Sequence, residues 1–366
     1  MIILEIDMRN LAEVIEHFDV FREPVNPIPY GSGHINNTFL IEAEEKYILQ
    51  KINTNAFKNP DELMANIAAV TKHLGEKIIA SGGDPKRETL TVIPTDDGKP
   101  YYRAEDGSCY RVYIYIDNAT SYDKVENADQ LYNAARAFGR FQNRLADFPA
   151  DTLYEFIANF HDTRDRFRQL TDAIAENRAG RLAEVASEVD FVLARKDDCG
   201  IILDAIANGE VPIRVTHNDT KLNNILLDPK THEGVCVIDL DTVMPGYSVT
   251  DFGDSIRFGA NTAAEDETDL SKVSLDLDLF AVYAKGFIEG CGGRLTDTEL
   301  ELLPEGAIMM TLECGMRFLT DYIDGDVYFR VHREGHNLDR CRNQFALVAD
   351  MERKLPEMKK IVSDLK

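Results

Sequence analysis

The spacing of apolar residues changes along the chain and separates a strand-rich part from a helical part. Residues 8–18 carry apolar side chains at helical spacing, which predicts a first short helix. The runs Phe39-Leu40-Ile41 and Tyr47-Ile48-Leu49 predict two strands joined by the polar stretch 42–46. Residues 61–74 predict a second helix. Further short strands are predicted at 90–94, 101–102 and 110–116.

The chain after residue 117 has a mainly helical pattern. Residues 128–148 are strongly amphipathic, with one apolar stripe formed by Leu131, Ala135, Phe138, Phe141 and Leu145. Helical patterns continue over 154–208 and resume from 277, with a β-like interruption over 213–241. This layout predicts an α+β protein with a small β-rich N-terminal lobe, residues 1–116, and a large α-helical C-terminal lobe, residues 117–366. A boundary near 115–118 would place a cleft between the lobes, where ligands commonly bind.

Length, charge and cysteine spacing narrow the class of protein. A chain of 366 residues is expected to form two domains, at about 150 residues per domain. The 64 acidic and 40 basic residues give a net charge of −24, which disfavours nucleic acid and anionic membranes as partners. The sequence shows no apolar run of membrane-spanning length, no signal-peptide pattern and no CxxC pair. We therefore expect a cytoplasmic protein with reduced thiols and no evident obligate protein partner.

The strongest chemical signal is the segment 215–228, which reads Val-Thr-His-Asn-Asp-Thr-Lys-Leu-Asn-Asn-Ile-Leu-Leu-Asp. It contains the frame His-x-Asp-x-Lys-x-x-Asn, and Asp239 follows at the end of the apolar run 235–238. This is the spacing of a kinase catalytic loop, in which an aspartate accepts the proton of the nucleophile and an asparagine holds a metal ion. A simple Asx turn before a strand is the structural alternative.

The residue types in this frame suit phosphoryl transfer, which needs an aligned hydroxyl and compensation of the charge on the transferred phosphate. Asp219 is expected to be the catalytic base, and Lys221 is expected to meet the γ-phosphate oxygens. The amide oxygen of Asn224 and the carboxylate of Asp239 suit a hard Mg²⁺ ion. Asp241 is the alternative metal ligand, on the assumption that it shares one side of an extended strand with Asp239.

The triplet Asp251-Phe252-Gly253 spells the metal-binding motif of protein kinases, but its context differs. It follows a polar stretch with Gly and Pro, whereas Asp239 ends a strand-like run, so we assign the metal to Asp239. Residues 251–254 are instead expected to begin a helix, where carboxylates favour the positive end of the dipole and tie down neighbouring backbone. His217 is expected to brace the catalytic loop by hydrogen bonds, because Asp219 already fills the role of base.

A second signal is Gly31-Ser32-Gly33, between a proline-rich stretch and a strand. Glycines permit positive φ and let backbone N–H groups approach phosphate, so Gly31, Ser32 and Gly33 are predicted to contact a nucleotide. An ordinary β-turn explains the same residues equally well. The position at the start of the β-rich lobe, where a loop covering a nucleotide belongs, favours the nucleotide.

Segments 216–227, 235–241 and 251–260 resemble the aminoglycoside phosphotransferase and choline kinase superfamily, and the chain more narrowly resembles the bacterial N-acetylhexosamine 1-kinases. The narrower resemblance rests on motifs spread over most of the chain: Gly33-His34-Ile35-Asn36 with Thr38, Tyr47-Ile48-Leu49-Gln50, Tyr110-Arg111-Val112-Tyr113, Phe160-His161-Asp162-Thr163 and Glu313-Cys314-Gly315-Met316-Arg317-Phe318-Leu319.

This resemblance implies a protein-kinase-like bilobal fold whose N-terminal lobe binds ATP and whose C-terminal lobe carries the catalytic loop and the sugar site. It implies ATP- and Mg²⁺-dependent phosphorylation of the anomeric C1 hydroxyl of GlcNAc or GalNAc. In that family the base would match Asp219 and the metal ligands Asn224 and Asp239. Sugar contacts would match His34, Asn36, Arg317 and Tyr328.

Two departures leave questions open. Gln50 stands where the superfamily usually places Lys or Arg on the third strand to grip the α- and β-phosphates, and Lys51 beside it is expected to face the other way. Arg317 falls in an otherwise apolar helical stretch and needs a partner, either Asp321 or a ligand oxygen.

Two other functions stay open from the sequence. One is a kinase of the same superfamily for another acceptor, such as choline, an aminoglycoside or another sugar, since an acidic chain attracts cations. The other is a non-catalytic nucleotide-binding pseudokinase, to which only Gln50 points. The sequence does not decide between GlcNAc and GalNAc, nor does it give the oligomeric state or the residues that read adenine.

Overall fold

An antiparallel sheet forms the N-terminal part of the protein. The structure, a computed structural model, describes residues 8–31 and 35–366. Six strands build the sheet: β1 (Ile28–Pro29), β2 (Asn37–Glu42), β3 (Lys46–Ile52), β4 (Val92–Ile93), β5 (Tyr102–Arg103) and β6 (Cys109–Ile114). The order is β1-β2-β3-β6-β4, and β5 also pairs with β6. All pairs are antiparallel, and the register places Gln50 on β3 opposite Arg111 on β6.

Helices cover both faces of this sheet. Helix α1 (Met8–Glu16) packs on one face, where Leu11 and Val14 join a core with Leu49 and Val112. Helix α2 (Pro60–Ala80) and the short α3 (Pro85–Glu88) follow β3. Pro60 is favourable at the first helical position because its missing N–H would have no partner there. Helix α2 is longer than the predicted 61–74 because it continues to Ala80.

Eight helices follow in the C-terminal part of the described chain: α4 (Ala128–Arg144), α5 (Thr163–Glu176), α6 (Ala186–Leu193), α7 (Ile201–Ala207), α8 (Ser248–Gly259), α9 (Leu277–Cys291), α10 (Asp297–Asp324) and α11 (His336–Asp364). Helices α4 and α9 approach closely at glycines. A Cβ on Gly139 would lie 2.3 Å from the carbonyl oxygen of Phe287, so only glycine allows this contact.

The helical prediction over 154–208 is wrong for 154–162. There the backbone of Tyr154 instead exchanges two hydrogen bonds with the Asn66 side chain.

Four short strands hold the segment predicted to be β-like. They are β7 (Arg214–Thr216), β8 (Ile225–Leu227), β9 (Gly234–Val237) and β10 (Met244–Gly246). Strand β10 pairs with β7, and β8 forms a hairpin with β9. The catalytic-loop sequence therefore lies between β7 and β8, and Asp239 follows β9.

The apolar core does not break near residue 116. One cluster contains Ile52 and Leu63 together with Leu131, Phe252 and Phe345. The division into lobes at 116 and 117 stays a prediction. All six cysteines are buried and unpaired. Among the described helices, none is long and apolar enough to cross a membrane.

Candidate active site

The catalytic-loop segment is a tight turn anchored by a buried histidine. Asn218 adopts a left-handed conformation with φ of 64°, which asparagine tolerates better than most residues. His217 is fully buried, and its Nε2 lies 2.9 Å from the carbonyl oxygen of Ile238. Its Nδ1 accepts the backbone N–H of Asp219 at 3.3 Å, so the proton sits on Nε2. His217 thus makes the bracing contacts expected of it.

The Asp219 carboxylate lies between two polar partners and remains accessible, with 26% of its side chain exposed. Lys221 Nζ lies 2.7 Å from Asp219 Oδ1. Asn224 donates from Nδ2 to Asp219 Oδ2 at 3.2 Å and to its backbone oxygen at 2.8 Å. Loss of water would lower the pKa of Lys221, but the Asp219 and Asp254 carboxylates outweigh it and raise that pKa. The lysine therefore carries its charge beside the aspartate.

Asn224 and Asp239 come together through the β8–β9 hairpin. The backbone N–H of Ile238 donates to the Asn224 carbonyl oxygen at 2.9 Å. Because Asp239 follows Ile238 directly, this hydrogen bond holds the backbone before Asp239 next to Asn224. Since the amide nitrogen of Asn224 faces Asp219, its amide oxygen is the group left for a ligand. Asp239 is solvent-exposed, yet the surrounding protein removes enough water to raise its pKa to about 6. The Asp241 and Asp219 carboxylates raise this pKa further.

This donor set fits a divalent cation that also binds phosphate oxygens. An amide oxygen and a carboxylate are hard oxygen donors of the kind Mg²⁺ takes together with phosphates and water. Within the described ranges, no group of three or more His, Cys, Asp or Glu side chains forms a closed metal site.

The alternative ligand Asp241 is placed differently from the expectation. Asp239 has left-handed backbone with φ of 58°, and residues 240–242 form a 3₁₀ turn, so the two aspartates do not share a strand face. Asp241 is only 3% exposed. Its Oδ1 lies 2.6 Å from Arg111 Nη1, and its Oδ2 accepts Asn36 Nδ2 at 2.6 Å. Both oxygens of Asp241 therefore have partners inside the protein. The assumption that Asp239 and Asp241 share one side of an extended strand is wrong, because the chain turns between them.

The triplet Asp251-Phe252-Gly253 lies in the first two turns of α8 and supports the catalytic loop from behind. Asp251 is 1% exposed and accepts the backbone N–H groups of His217 at 2.9 Å and Asn218 at 2.7 Å. Gln142 Nε2 donates to the same carboxylate at 2.9 Å. Asp251 is therefore closed to a metal ion and holds two residues next to Asp219, as the helix-start interpretation predicted.

The other two residues of the triplet fix the position of α8. Phe252 is fully buried and packs edge-on against aromatic rings of α9. Gly253 faces α10, where an added Cβ would lie 2.3 Å from the carbonyl oxygen of Gly306. The triplet thus has the same three residues as the protein-kinase motif but a different use. Its aspartate holds the catalytic-loop segment, and its phenylalanine and glycine pack α8 against α9 and α10.

Only some of the predicted nucleotide-contact residues lie within the described ranges. Gly31 has φ of 79°, whereas Ser32, Gly33 and His34 lie outside the described residues. Gln50 Nε2 donates to Thr38 Oγ1 at 3.0 Å, and its Oε1 accepts two hydrogen bonds from Arg111. Lys51 instead lies over the Tyr110 ring at 5.7 Å, on the α1 side of the sheet, so it faces away from Gln50 as expected.

Sequence reasoning missed the role of Arg111. Its guanidinium is 1% exposed, and although burial alone would lower its pKa, the Asp241 carboxylate raises it. A signal was available, because an arginine stands in the apolar run 109–114 and alternates onto the same sheet face as Gln50.

A second group missed from sequence connects α10 to the catalytic loop. His161 Nδ1 lies 3.1 Å from Glu313 Oε1, and Nε2 lies 3.1 Å from the carbonyl oxygen of Asn218. Since both partners are acceptors, both ring nitrogens must donate and the ring is an imidazolium. Burial would lower the pKa of His161, but Glu313 outweighs it and the pKa is raised.

Arg317 lies one turn after Glu313 on α10. Its guanidinium lies 5.9 Å from the Tyr328 ring centroid and 5.3 Å from that of Phe329. Asp321 is not its partner, because that carboxylate accepts the backbone N–H groups of residues 327–329 at 2.7–2.9 Å. Among the described residues Arg317 makes no ion pair, which leaves a ligand oxygen as the open alternative. Tyr328 is 73% exposed.

A cavity of about 790 Å³ opens beside the loop. Lys221 and Asn223 line one side of it, and Arg257 and Phe258 of α8 line another. The volume lies within the usual range for small-molecule pockets.

Comparison with known proteins agrees with this architecture. Residues 27–278 match the model of the phosphotransferase enzyme family. An aminoglycoside phosphotransferase from Alicyclobacillus acidocaldarius is 13% identical, with a TM-score of 0.58 and 96% of each chain covered. Choline kinase from Cryptosporidium parvum is 10% identical, with a TM-score of 0.59, covering 96% of this chain and 97% of that one. An amicoumacin kinase in complex with AMP-PNP and Ca²⁺ is 13% identical, with a TM-score of 0.56, covering 98% of this chain and 93% of that one.

These structures confirm the predicted protein-kinase-like α+β fold, with a sheet in the N-terminal region and helices in the C-terminal part. The family match spans more than half of the chain and includes the catalytic-loop segment. The chain belongs to the phosphotransferase enzyme family and has the fold of the small-molecule kinases related to aminoglycoside phosphotransferases and choline kinases.

Proposed function

We propose that this protein is a sugar 1-kinase that transfers the γ-phosphoryl group of ATP, with Mg²⁺, to the C1 hydroxyl of an N-acetylhexosamine. The observation that carries the proposal of phosphoryl transfer is the accessible Asp219 carboxylate between Lys221 at 2.7 Å and Asn224 at 3.2 Å. The choice of sugar rests on the motifs shared with the N-acetylhexosamine 1-kinases.

In this reaction Asp219 accepts a hydrogen bond from the C1 hydroxyl and turns its oxygen towards the γ-phosphorus. As the new O–P bond forms and the bond to the ADP oxygen breaks, Asp219 takes the hydroxyl proton. Lys221, charged beside this carboxylate, would meet the negative oxygens of the transferred group. Electrostatic stabilisation of this kind is usually the largest contribution to catalysis.

Asn224 and Asp239 would hold the metal ion, through the amide oxygen and the carboxylate. A bound Mg²⁺ would neutralise charge on the β- and γ-phosphates. Bringing a cation to Asp239 would also favour its ionised form, because three carboxylates at positions 219, 239 and 241 repel each other there.

The acceptor side favours a neutral, oxygen-rich ligand over a cationic one. The His161 imidazolium is balanced by Glu313, whereas Arg317, one turn further along α10, forms no ion pair with any carboxylate of the described residues. A cationic aminoglycoside or choline would meet this positive charge, whereas hydroxyl and amide oxygens can accept hydrogen bonds from a guanidinium. Arg317, Tyr328 and Asn36 are the proposed sugar contacts, together with His34, which lies outside the described residues.

Asn36 has a double role in this proposal. Its Nδ2 donates to Asp241, and its Oδ1 accepts the backbone N–H of Asn53 at 2.9 Å. Both polar groups already have partners, so contact with a sugar requires Asn36 to share one of them.

The test is a panel of acceptors with Mg-ATP, read by ADP release and by phosphorus NMR of the product. GlcNAc, GalNAc, glucose, choline, aminopropanol and an aminoglycoside make up the panel. We expect turnover with the N-acetylhexosamines and phosphate at C1. Turnover with an amino alcohol or aminoglycoside alone would refute the sugar assignment, and nucleotide binding without any turnover would favour a pseudokinase.

Asp219→Asn tests the base in the same assay. We expect turnover to fall by about 10²–10⁴-fold, the usual contribution of a positioned base, with nucleotide affinity retained. This corresponds to about 3–5 kcal/mol of barrier. Asp228→Asn is the matched control, because Asp228 accepts backbone N–H groups in the turn after β8 and does not face Asp219. Near wild-type turnover in Asp219→Asn would contradict the assignment.

A further inference from the structure

We propose that Arg111 is a positioning residue for the metal-binding segment: it neutralises and holds Asp241, and thereby keeps Asp239 directed at the metal–nucleotide complex. This inference rests on the proposed kinase function. The inference explains the buried Arg111–Asp241 ion pair, which joins strand β6 to the turn that contains Asp239.

The contacts of Arg111 leave it a single arrangement. Nε and Nη2 both donate to Gln50 Oε1, at 3.0 and 2.9 Å, and Nη1 lies 2.6 Å from Asp241 Oδ1. The Tyr113 ring lies 5.2 Å from the guanidinium carbon and covers one of its sides. Gln50, a neutral residue, thus orients the arginine without competing for its charge.

Asp241 depends on this cation. Its Oδ1 is buried and has no hydrogen bond of good geometry, although Arg111 Nη1 lies close to it, so the attraction is chiefly ionic. Removing one partner of a buried ion pair leaves an uncompensated charge, which is strongly unfavourable. Without Arg111, the Asp241 carboxylate would have to take up a proton, turn outwards or attract another cation.

The turn that holds Asp241 is also the turn that holds Asp239. The two aspartates are separated by one residue, and Asp239 has the strained left-handed backbone that begins the 3₁₀ turn. If Asp241 turned outwards, its carboxylate would compete for the metal ion. The turn would also shift, and the Asp239 carboxylate would no longer be directed at the metal.

The same network ties this turn to Asn36, the residue before β2. Asp241 Oδ2 accepts from Asn36 at 2.6 Å, and Asn36 accepts in turn from the backbone of Asn53. Arg111 is therefore connected through Asp241 to the start of β2. Groups that orient metal ligands from behind typically change metal affinity by about 10–100-fold when removed.

The test measures binding of Mn²⁺ in the presence of AMP-PNP, from the electron paramagnetic resonance signal of free Mn²⁺, so that it is independent of the acceptor. The variants are Arg111→Met, Asp241→Asn and the double substitution. We expect each single substitution to weaken Mn²⁺ binding by about tenfold or more. We expect the double variant, in which both charges are gone, to bind more tightly than either single variant.

Arg195→Met is the matched control. Arg195, in the turn after α6, makes a two-pronged ion pair with Glu352 of α11, with both distances at 2.7 Å. It should lower the melting temperature while leaving the Mn²⁺ affinity within about twofold of the wild type.

Folded Arg111→Met with unchanged Mn²⁺ affinity would overturn the inference, as would losses that simply add in the double variant. Should Arg111→Met not fold, the comparison of Asp241→Asn with the double variant decides: tighter Mn²⁺ binding by the double variant supports the role, and equal or weaker binding overturns it. A wild-type protein that binds no Mn²⁺ with AMP-PNP would instead contradict the proposed function itself, which keeps the two failures apart.

Discussion

Asp251→Asn tests the claim that a metal-motif look-alike in fact holds the catalytic loop. The carboxylate accepts three hydrogen bonds, from the backbones of His217 and Asn218 and from Gln142. An asparagine at this site keeps one acceptor oxygen and turns an NH₂ group towards a donor. At least one charge-assisted hydrogen bond is lost, at about 1.5–3 kcal/mol, and a buried donor is left without a partner.

The burial of the charge reduces this loss. Desolvation raises the pKa of Asp251 despite its hydrogen bonds, so the ionised form is costly to bury and a neutral amide recovers part of the difference. We therefore expect a net loss of about 2 kcal/mol in the free energy of unfolding, measured by urea titration. We also expect kcat to fall by about 10²-fold, because the backbone on both sides of the loop turn loses its anchor and a shift of about 1 Å costs that much.

The control for this experiment is Asp350→Asn. Asp350 is a buried carboxylate that accepts the backbone N–H of Leu275 at 2.8 Å, remote from the loop. It should lose comparable stability with unchanged kcat. The reasoning fails if Asp251→Asn loses stability but keeps full kcat, and excess Mg²⁺ restoring its activity would show instead that Asp251 acts on the metal.

Two further predictions concern packing and pH. Gly253→Ala should cost about 1–3 kcal/mol in urea unfolding, because the new Cβ would overlap the Gly306 carbonyl. Gly75→Ala, where a Cβ would meet only the Pro85 side chain at 3.7 Å, should gain about 0.5–1 kcal/mol. His161→Gln should be less stable than the wild type mainly at low pH. The raised pKa of His161 means that its ion pair with Glu313 contributes fully below the ordinary value of 6.5 and is lost as the pH rises through the raised value. Urea titrations of both proteins from pH 5.5 to 9 measure this, and a difference in stability that grows with pH would contradict it.

Local patterns were enough to predict the elements that carry the site. The paired strands β2 and β3 and the amphipathic helix α4 follow from alternation and helical spacing. A helix was also predicted to begin at 251–254, and α8 begins three residues earlier, at Ser248. The spacing within 215–228 brought Asp219, Lys221 and Asn224 together, because a tight turn keeps residues that are close in sequence close in space. Their catalytic roles stay predictions.

The partners of buried charges were beyond the reach of sequence. The sequence pattern favoured Asp239 as the metal ligand and kept Asp241 as its alternative along a strand. Only the left-handed turn and the Arg111 guanidinium show that one carboxylate is exposed and the other is buried and paired. The sequence equally allowed a pair between Arg317 and Asp321. In the structure the Asp321 carboxylate instead accepts hydrogen bonds from the backbone of residues 327–329.

The amino-acid sequence by itself determined the strand-rich and helical parts of the chain, the frame of the catalytic loop and the class of phosphotransferase. Tertiary structure alone decided which charged groups face the cleft and which are neutralised inside the protein. The physical reason is that the free energy of a charge depends on the groups within a few ångströms of it, and the chain brings those groups from distant strands and helices.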